Sequence, residues 1–311
     1  MSGDAPTGRS IAGWRLLRLI GQGSHGAVYL AEAADNRQMS GLQASGSQAS
    51  ALNTSALKSS ALKTVALKLV PLDLAGGAAR AHKSFLRGAD IGRRLVHPGI
   101  VALHAAGVDG NTGWLAMEPV PGSDLARYTV SSRLLPEALV LQVAERLALA
   151  LAYAHRQGVV HRDLKPANVL VHWPSHTVKL ADFGLARADD AAQTGTGIVP
   201  GTPVYMAPEQ LAGRLPTPAS DLYALGALLF QLLSGRLPHE ATSMGELLRQ
   251  VATSAPPDLR TLVPTLPASV CLLVARLLAK NPVERPADGD TLAAELRHAA
   301  QDLPQPLPPA G

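Results

Sequence analysis

The densest set of chemically capable residues is His161-Arg162-Asp163-Leu164-Lys165-Pro166-Ala167-Asn168, followed after a gap by Asp182-Phe183-Gly184. Asn168 and Asp182 offer hard oxygen ligands of the kind Mg²⁺ prefers. Asp163 is a carboxylate able to accept or orient a hydroxyl proton, and Lys165 a cation able to steady a phosphate. Far upstream stands Gly21-Gln22-Gly23-Ser24-His25-Gly26. Without side chains, Gly21, Gly23 and Gly26 let backbone amides approach a phosphate closely. A plain hairpin turn is the other reading of these glycines, and their place between two strands favours the phosphate loop. A solvated turn would also carry the charges of residues 161–168, but the spacing of Asp163, Asn168 and Asp182 argues against it.

The elements that must position these groups differ along the chain. Residues 11–31 read as strand, glycine-rich turn and strand. Residues 39–64 are rich in Ser, Ala, Gln and Gly and hold a five-residue repeat. Its units are Ala51-Leu-Asn-Thr-Ser55, Ala56-Leu-Lys-Ser-Ser60, Ala61-Leu-Lys-Thr-Val65 and Ala66-Leu-Lys-Leu-Val70. A period of five matches neither helix nor strand, so the repeat is a local duplication that feeds a strand at 65–70. A helix is expected over 78–95, a break at His97-Pro98, and strands over 100–106 and 114–118. Beyond Pro119-Val120-Pro121-Gly122 the pattern turns helical, with helices over 136–157, 220–234 and 269–279. Residues 1–10 read as a flexible start, and residues 301–311 as a proline-rich tail. A strand-rich front and a helix-rich remainder follow.

Composition narrows the classes. The 311 residues are 47% apolar and 17% charged, enough to bury a large core. Cys271 is the single cysteine, so no disulfide framework or cysteine-rich zinc site exists, and a cytoplasmic location is expected. The net charge of +4 comes from 7 Lys and 21 Arg against 24 acidic residues, but the arginines are scattered and no basic run forms. With aromatics at only 4%, nucleic acid is not an expected partner. The apolar stretch Leu222–Leu233 contains Gln231 and is too short to span a bilayer, and Met1–Ser10 lacks the apolar core of a signal peptide. No membrane association is expected. His172 and His176 are four apart, but Pro174 between them forbids a helical metal pair and leaves a surface hairpin. Cys271 lies in an apolar helical pattern and is expected in the core. The Ala-, Leu- and Arg-rich, lysine-poor usage suggests a bacterial protein from GC-rich DNA.

Taken in order, the glycine loop, Val65-Ala66-Leu67-Lys68, His161 to Asn168, Asp182-Phe183-Gly184 and Ala207-Pro208-Glu209 resemble the eukaryotic-like serine/threonine protein kinase family over residues 11–300. The resemblance implies an α+β, two-lobed fold. Its small antiparallel β-sheet N-lobe would span 11–116 with one main helix and a repeat-containing insertion at 39–64. A hinge at 117–122 and a mainly α-helical C-lobe over 123–300 would follow. It implies ATP and Mg²⁺, with Mn²⁺ as an alternative, and transfer of the γ-phosphate to Ser or Thr hydroxyls of protein substrates. Asp163 becomes the catalytic base, Lys165 and Lys68 phosphate contacts, and Asn168 and Asp182 the metal ligands. Met117, Glu118 and Val120 correspond to the adenine-binding hinge, with Met117 as gatekeeper. Val28, Ala66 and Leu170 would sandwich the ring, although core packing alone also accounts for them. Asp124 would reach the ribose or simply form a surface turn. Glu209 and Arg285 resemble a structural ion pair, and Asp221 a helix residue bracing the catalytic loop. Lys165 and Thr202-Pro203 resemble the serine/threonine branch. Arg162 beside Asp163 could pair with a phosphate on Thr194 or Thr196, both otherwise ordinary exposed threonines.

Two departures stand out. Where the family carries a glutamate that pairs with the strand lysine, counting back from His97-Pro98 reaches Gly88, which has no carboxylate. Asp90, two residues on, lies roughly 200° around the helix and should face away. A nucleotide-binding pseudokinase or scaffold is therefore the runner-up. Second, Lys58, Lys63 and Lys68 all occupy Ala-Leu-Lys units. A one-unit slip to Lys63 would exchange Val65 for Ser60 and Leu69 for Thr64, a loss on the order of 2–4 kcal/mol, which favours Lys68. Gain or loss of a unit would keep the reading frame and could tune activity; a neutral insertion is the plainer reading. A phosphatase and a regulatory protein are further partners that the resemblance suggests, with signals expected to arrive through a partner or the insert.

Overall fold

The computed structural model describes residues 8–23, 26–34, 64–74, 77–183 and 203–303. Lys58, Lys63, Thr194, Thr196, Thr202 and repeat units 51–63 lie outside them. The described residues fall into two units: 8–96 with 101–120, and 97–100 with 121–183 and 203–303.

The first unit is an antiparallel sheet with one helix. Strands β1 (Ser10–Ile11), β2 (Trp14–Gly23), β3 (Gly26–Ala33) and β4 (Thr64–Pro71) precede helix α1 (Ala78–Arg93), then β5 (Leu103–Asp109) and β6 (Thr112–Met117). The spatial order is β1-β2-β3-β4-β6-β5. Alternation along β4 explains its register. Val65 and Leu67 are fully buried on one face with Trp14, Leu16, Tyr29 and Ala116, while Ala66 packs on the other with Phe85 and Ala89 of α1. A strand apolar on both faces needs Val65 and Leu69, and the slipped register would put Ser60 and Thr64 there. Ser10, expected in a flexible start, pairs with Arg15 across β1–β2. The strand expected from residue 100 begins only at 103. Ile100 instead belongs to the second unit, where it bridges Leu180 and Gly99 O accepts the Leu180 amide at 2.8 Å.

The second unit is mainly helical. It runs β7 (Ser123–Asp124), α2 (Glu137–Arg156), β8 (Val169–His172), β9 (Thr177–Leu180), α3 (Pro208–Leu211), α4 (Pro218–Ser234), α5 (Met244–Thr253), α6 (Leu259–Leu262), α7 (Ala268–Leu277) and α8 (Gly289–Gln301). Helix α4 is buried along almost its whole length, from Ser220 to Leu233, and forms the axis of this core. Helix α2 is long and apolar enough to cross a membrane, but ten of its residues, Leu147 and Leu151 among them, are buried against the other helices. Gln231, the polar interruption of the α4 run, accepts the Tyr205 hydroxyl at 2.6 Å. Burial pushes that phenol up to about 12. His172 and His176 flank the β8–β9 turn, as the hairpin reading requires, and Cys271 is buried. Helix α8 extends to Gln301 and Leu303 is buried, so ordered packing enters the stretch read as tail.

Candidate active site

In the second unit, a loop between α2 and β8 carries His161 to Asn168. Asp163 and Lys165 pair directly, with Nζ donating to Asp163 Oδ2 at 2.7 Å. Asn168 folds back onto the same residue: its Nδ2 donates to the Asp163 carbonyl at 2.7 Å and to Oδ2 at 3.3 Å. The Asp163 carboxylate is thus held by two donors, and its position is set before any substrate arrives.

Asp182 follows β9, and its neighbours are pinned to this loop. The Ala181 amide donates to Asn168 O at 2.8 Å, and Ala181 O meets His161 Nε2 at 2.9 Å. The Phe183 ring packs edge-on against His161 at 4.7 Å. His161 also turns Nδ1 toward the Asp163 amide at 3.3 Å. One buried imidazole therefore ties the base-bearing turn to the segment with the second carboxylate. Arg162 and Asp182 both have left-handed backbones, φ 73° and 65°. Such conformations cost L-residues about 1–2 kcal/mol and persist only when the surroundings impose them.

Asp221, at the start of α4, does the imposing at Arg162. Its Oδ2 accepts the His161 amide at 2.8 Å and its Oδ1 the Arg162 amide at 2.9 Å. His155 Nε2 meets Oδ2 at 2.8 Å, and Gln210 Nε2 donates to Arg162 O at 3.3 Å. Sequence reasoning picked out Asp221 but missed His155 and Gln210. A His on the last turn of α2 and a Gln after Ala207-Pro208-Glu209 carry no local signal; only packing brings them to this loop. Beneath it, Arg285 grips Glu209 with two hydrogen bonds, 2.7 and 2.9 Å, and lies over the Tyr223 ring. Burial alone would raise the Glu209 carboxyl, but hydrogen bonds from Arg285 and Ser220 bring it below the usual carboxylate range.

Asn168 spends its amide protons on Asp163, which leaves its carbonyl oxygen as donor toward a cation. With Asp182 that makes two hard oxygen groups on adjoining backbone. Mg²⁺ commonly takes one or two protein ligands and completes its shell with phosphates and water, so this pair fits it. Among the described residues no cluster of three or more His, Cys, Asp or Glu forms a cage. In the same unit Asp124 and Leu170 are register partners in β7–β8. Asp124 Oδ1 caps the following turn through the Ala126 amide at 3.0 Å.

In the first unit, β4 places Lys68, 7% exposed, between Val28 on β3 and Leu115 on β6. Ala66 is the partner of Met117. The Glu118 amide is committed to Ala102 O at 2.9 Å, and no backbone carbonyl among the described residues takes the Val120 amide. Gly26 has φ 120°, and a Cβ there would lie 1.9 Å from Leu69 O, so only glycine fits where the loop rejoins β3. Gly88 is on the buried face of α1 with Phe85, Ala89 and Gly92, so the position expected to bear a carboxylate faces inward without one. Asp90 turns outward, half exposed, near Arg93.

The protein kinase domain model matches residues 43–299. Serine/threonine-protein kinase PknJ of Mycobacterium tuberculosis is 37% identical over 307 residues, 96% of this chain and 47% of the relative. The chain belongs to the protein kinase family. PkaA of Streptomyces coelicolor is 40% identical over 225 residues, covering 70% of the chain and 40% of that kinase. PrkC of Bacillus subtilis is 33% identical over 218 residues, 70% of the chain and 34% of the relative. The chain therefore spans about half or less of these kinases. Among solved structures, the crystal structure of Rad53 1-466 in complex with AMP-PNP matches with a TM-score of 0.68 at 23% identity, covering 93% of this chain and 65% of that one. The fold is the protein kinase fold, and the family's relatives here are bacterial serine/threonine kinases.

Proposed function

We propose that this kinase transfers the γ-phosphoryl group of ATP to Ser or Thr hydroxyls of proteins, itself included. The observation that carries the reading is the Asp163 carboxylate, held by Lys165 Nζ and Asn168 Nδ2 beside the segment bearing Asp182. Asp163 would orient the acceptor alcohol and take its proton as the new O–P bond forms and the bond to the departing diphosphate breaks. Lys165, already against Asp163, would stay with the transferring group and offset its charge. Lys68 would contact the α- and β-phosphates. Gly21, Gly23 and Gly26 would let the loop backbone approach the phosphates. Met117, Glu118 and Val120 would receive adenine between Val28, Ala66 and Leu170, with Asp124 toward the ribose. Because the Glu118 amide is already bonded to Ala102 O, the Val120 amide is the hinge group proposed to meet the base. Asn168 and Asp182 would hold Mg²⁺, which supplies neutralisation of the triphosphate charge.

The serine/threonine class rests on Lys165 and on the names of the relatives. Thr194 and Thr196 are the proposed phosphosites, with Arg162 as the phosphate's partner. Protein substrates, a phosphatase and a regulatory protein are the partners proposed, in the cytoplasm. Incubation with labelled ATP and Mg²⁺, followed by mapping of modified residues, tests the whole reading. Label on Ser or Thr that disappears in Asp163→Asn supports it, and no ATP consumption under any condition overturns it.

A further inference from the structure

A cavity of about 660 Å³ opens in the helical unit among α4, α6 and α7, away from residues 161–182. Its volume lies in the range of small-molecule sites. Phe230, Leu259, Leu278 and Ala275 give it apolar walls. Leu272, another wall residue, is 63% exposed, and Val283, beside the wall residue Glu284, is 84% exposed, so apolar surface continues outward at the rim.

Three cations line it, and they are not equivalent. Arg260 is bonded to Asp258 at 2.7 Å and Arg276 to Glu295 at 3.0 Å. Lys280 makes no ion pair among the described residues. Its Nζ is 3.1 Å from Nε2 of His239, which is 4% exposed. Burial and the Lys280 charge push that imidazole down to about 4, so at neutral pH it is an uncharged acceptor. Burial and Arg285 draw the Lys280 ammonium down to about 8. Arg285 itself is already neutralised by Glu209, and Glu284 is exposed and not paired with Lys280. The lining thus includes a partly buried lysine whose hydrogen-bond partner is a neutral ring. An anion is the complement it lacks.

We propose that this cavity binds a small amphipathic monocarboxylate, with the carboxylate at Lys280 and an unbranched alkyl chain along the exposed wall residues Leu272 and Ala275. Apolar walls select the chain and the uncompensated ammonium selects the charge. The site is separate from the phosphotransfer residues and does not depend on their assignment.

Cys271, the chain's single cysteine, is a buried wall residue and reports occupancy. The full chain is titrated with sodium decanoate while a methanethiosulfonate reagent modifies Cys271. Decanoate is expected to slow modification at least fivefold and saturably, and dodecanoate to bind about tenfold more tightly for its two extra methylenes. Decanol and decyltrimethylammonium at equal concentration should protect weakly. Lys280→Gln should weaken decanoate at least tenfold, and Lys83→Gln on α1 not at all. Ala275→Trp, at an exposed wall position, should abolish protection without altering the fold, which keeps the test decisive if Lys280→Gln proves unstable. Equal protection by decanol, unchanged affinity in a folded Lys280→Gln, protection surviving Ala275→Trp, or protection by an acidic octapeptide in place of decanoate would each overturn the proposal.

Discussion

Asp221 Oδ1 accepts the backbone amide of Arg162 at 2.9 Å, and Arg162 is one of the few non-glycine residues with positive φ among those described. The carboxylate that holds the amide comes from the start of the most buried helix, 59 residues later in the chain. The left-handed turn that presents Asp163 is therefore fixed by core packing rather than by its own sequence. Asp221→Ala would leave the His161 and Arg162 amides without their acceptor. A loss of about 2–5 kcal/mol is expected from the buried amides, with phosphotransfer down at least tenfold. Asp221→Asn, with one oxygen, should fall between. Denaturant melts and transfer assays on the same preparations check both.

Asp163→Asn should behave differently. It keeps the shape of the loop but removes the proton acceptor, so transfer should drop by about 10²–10⁴ while the melting temperature stays within a degree or two. Lys68→Ala should also abolish transfer, whereas Lys63→Ala should leave it intact. The reverse pattern would move the strand register by one repeat unit.

The Glu209–Arg285 pair is buried, with Arg285 fully enclosed. Removing one partner strands a charge, so Arg285→Met and Glu209→Gln should each cost about 3–5 kcal/mol, and the double change Glu209→Leu/Arg285→Met less than their sum. Because Glu209 titrates below its unfolded value, its contribution is present above the ordinary carboxylate range and is lost as pH falls through the folded value. A urea melt series from pH 7 downward should show a shallower acid loss in the double variant.

His239 predicts a separate acid limb. Its folded value of about 4 lies below the unfolded 6.5, so between those values the unfolded chain takes up the proton first. Stability should fall as pH drops from 6.5 to about 4, by on the order of 2–3 kcal/mol. His239→Phe should flatten that segment of the stability profile and leave the profile at pH 7 to 8 unchanged in slope.

Family membership was legible in the residues themselves, because each motif carries its chemistry in its spacing: Asp163 to Asn168, Asp182 beyond, and the glycines upstream. The register of β4 was also legible, since Val65 and Leu67 must both find apolar neighbours and Ser60 could not. The strand expected from residue 100 was misplaced because Ile100 is as apolar as a strand residue yet belongs, with its partner Leu180, to the second unit. His155 and Gln210 escaped for a related reason, since a single polar residue on a helix gives no periodic signal of what it will touch.

Residue type and order by themselves determined which groups can donate, accept or ligate, and that Gly88 brings no carboxylate to the inward face of α1. Tertiary structure alone decided which backbone is strained, which charges are compensated and which are not. Arg162 is held left-handed by a carboxylate from α4, Arg285 finds Glu209, and Lys280 meets a neutral ring. Those outcomes depend on burial and on contacts between residues far apart in sequence, and neither quantity exists until the chain has folded.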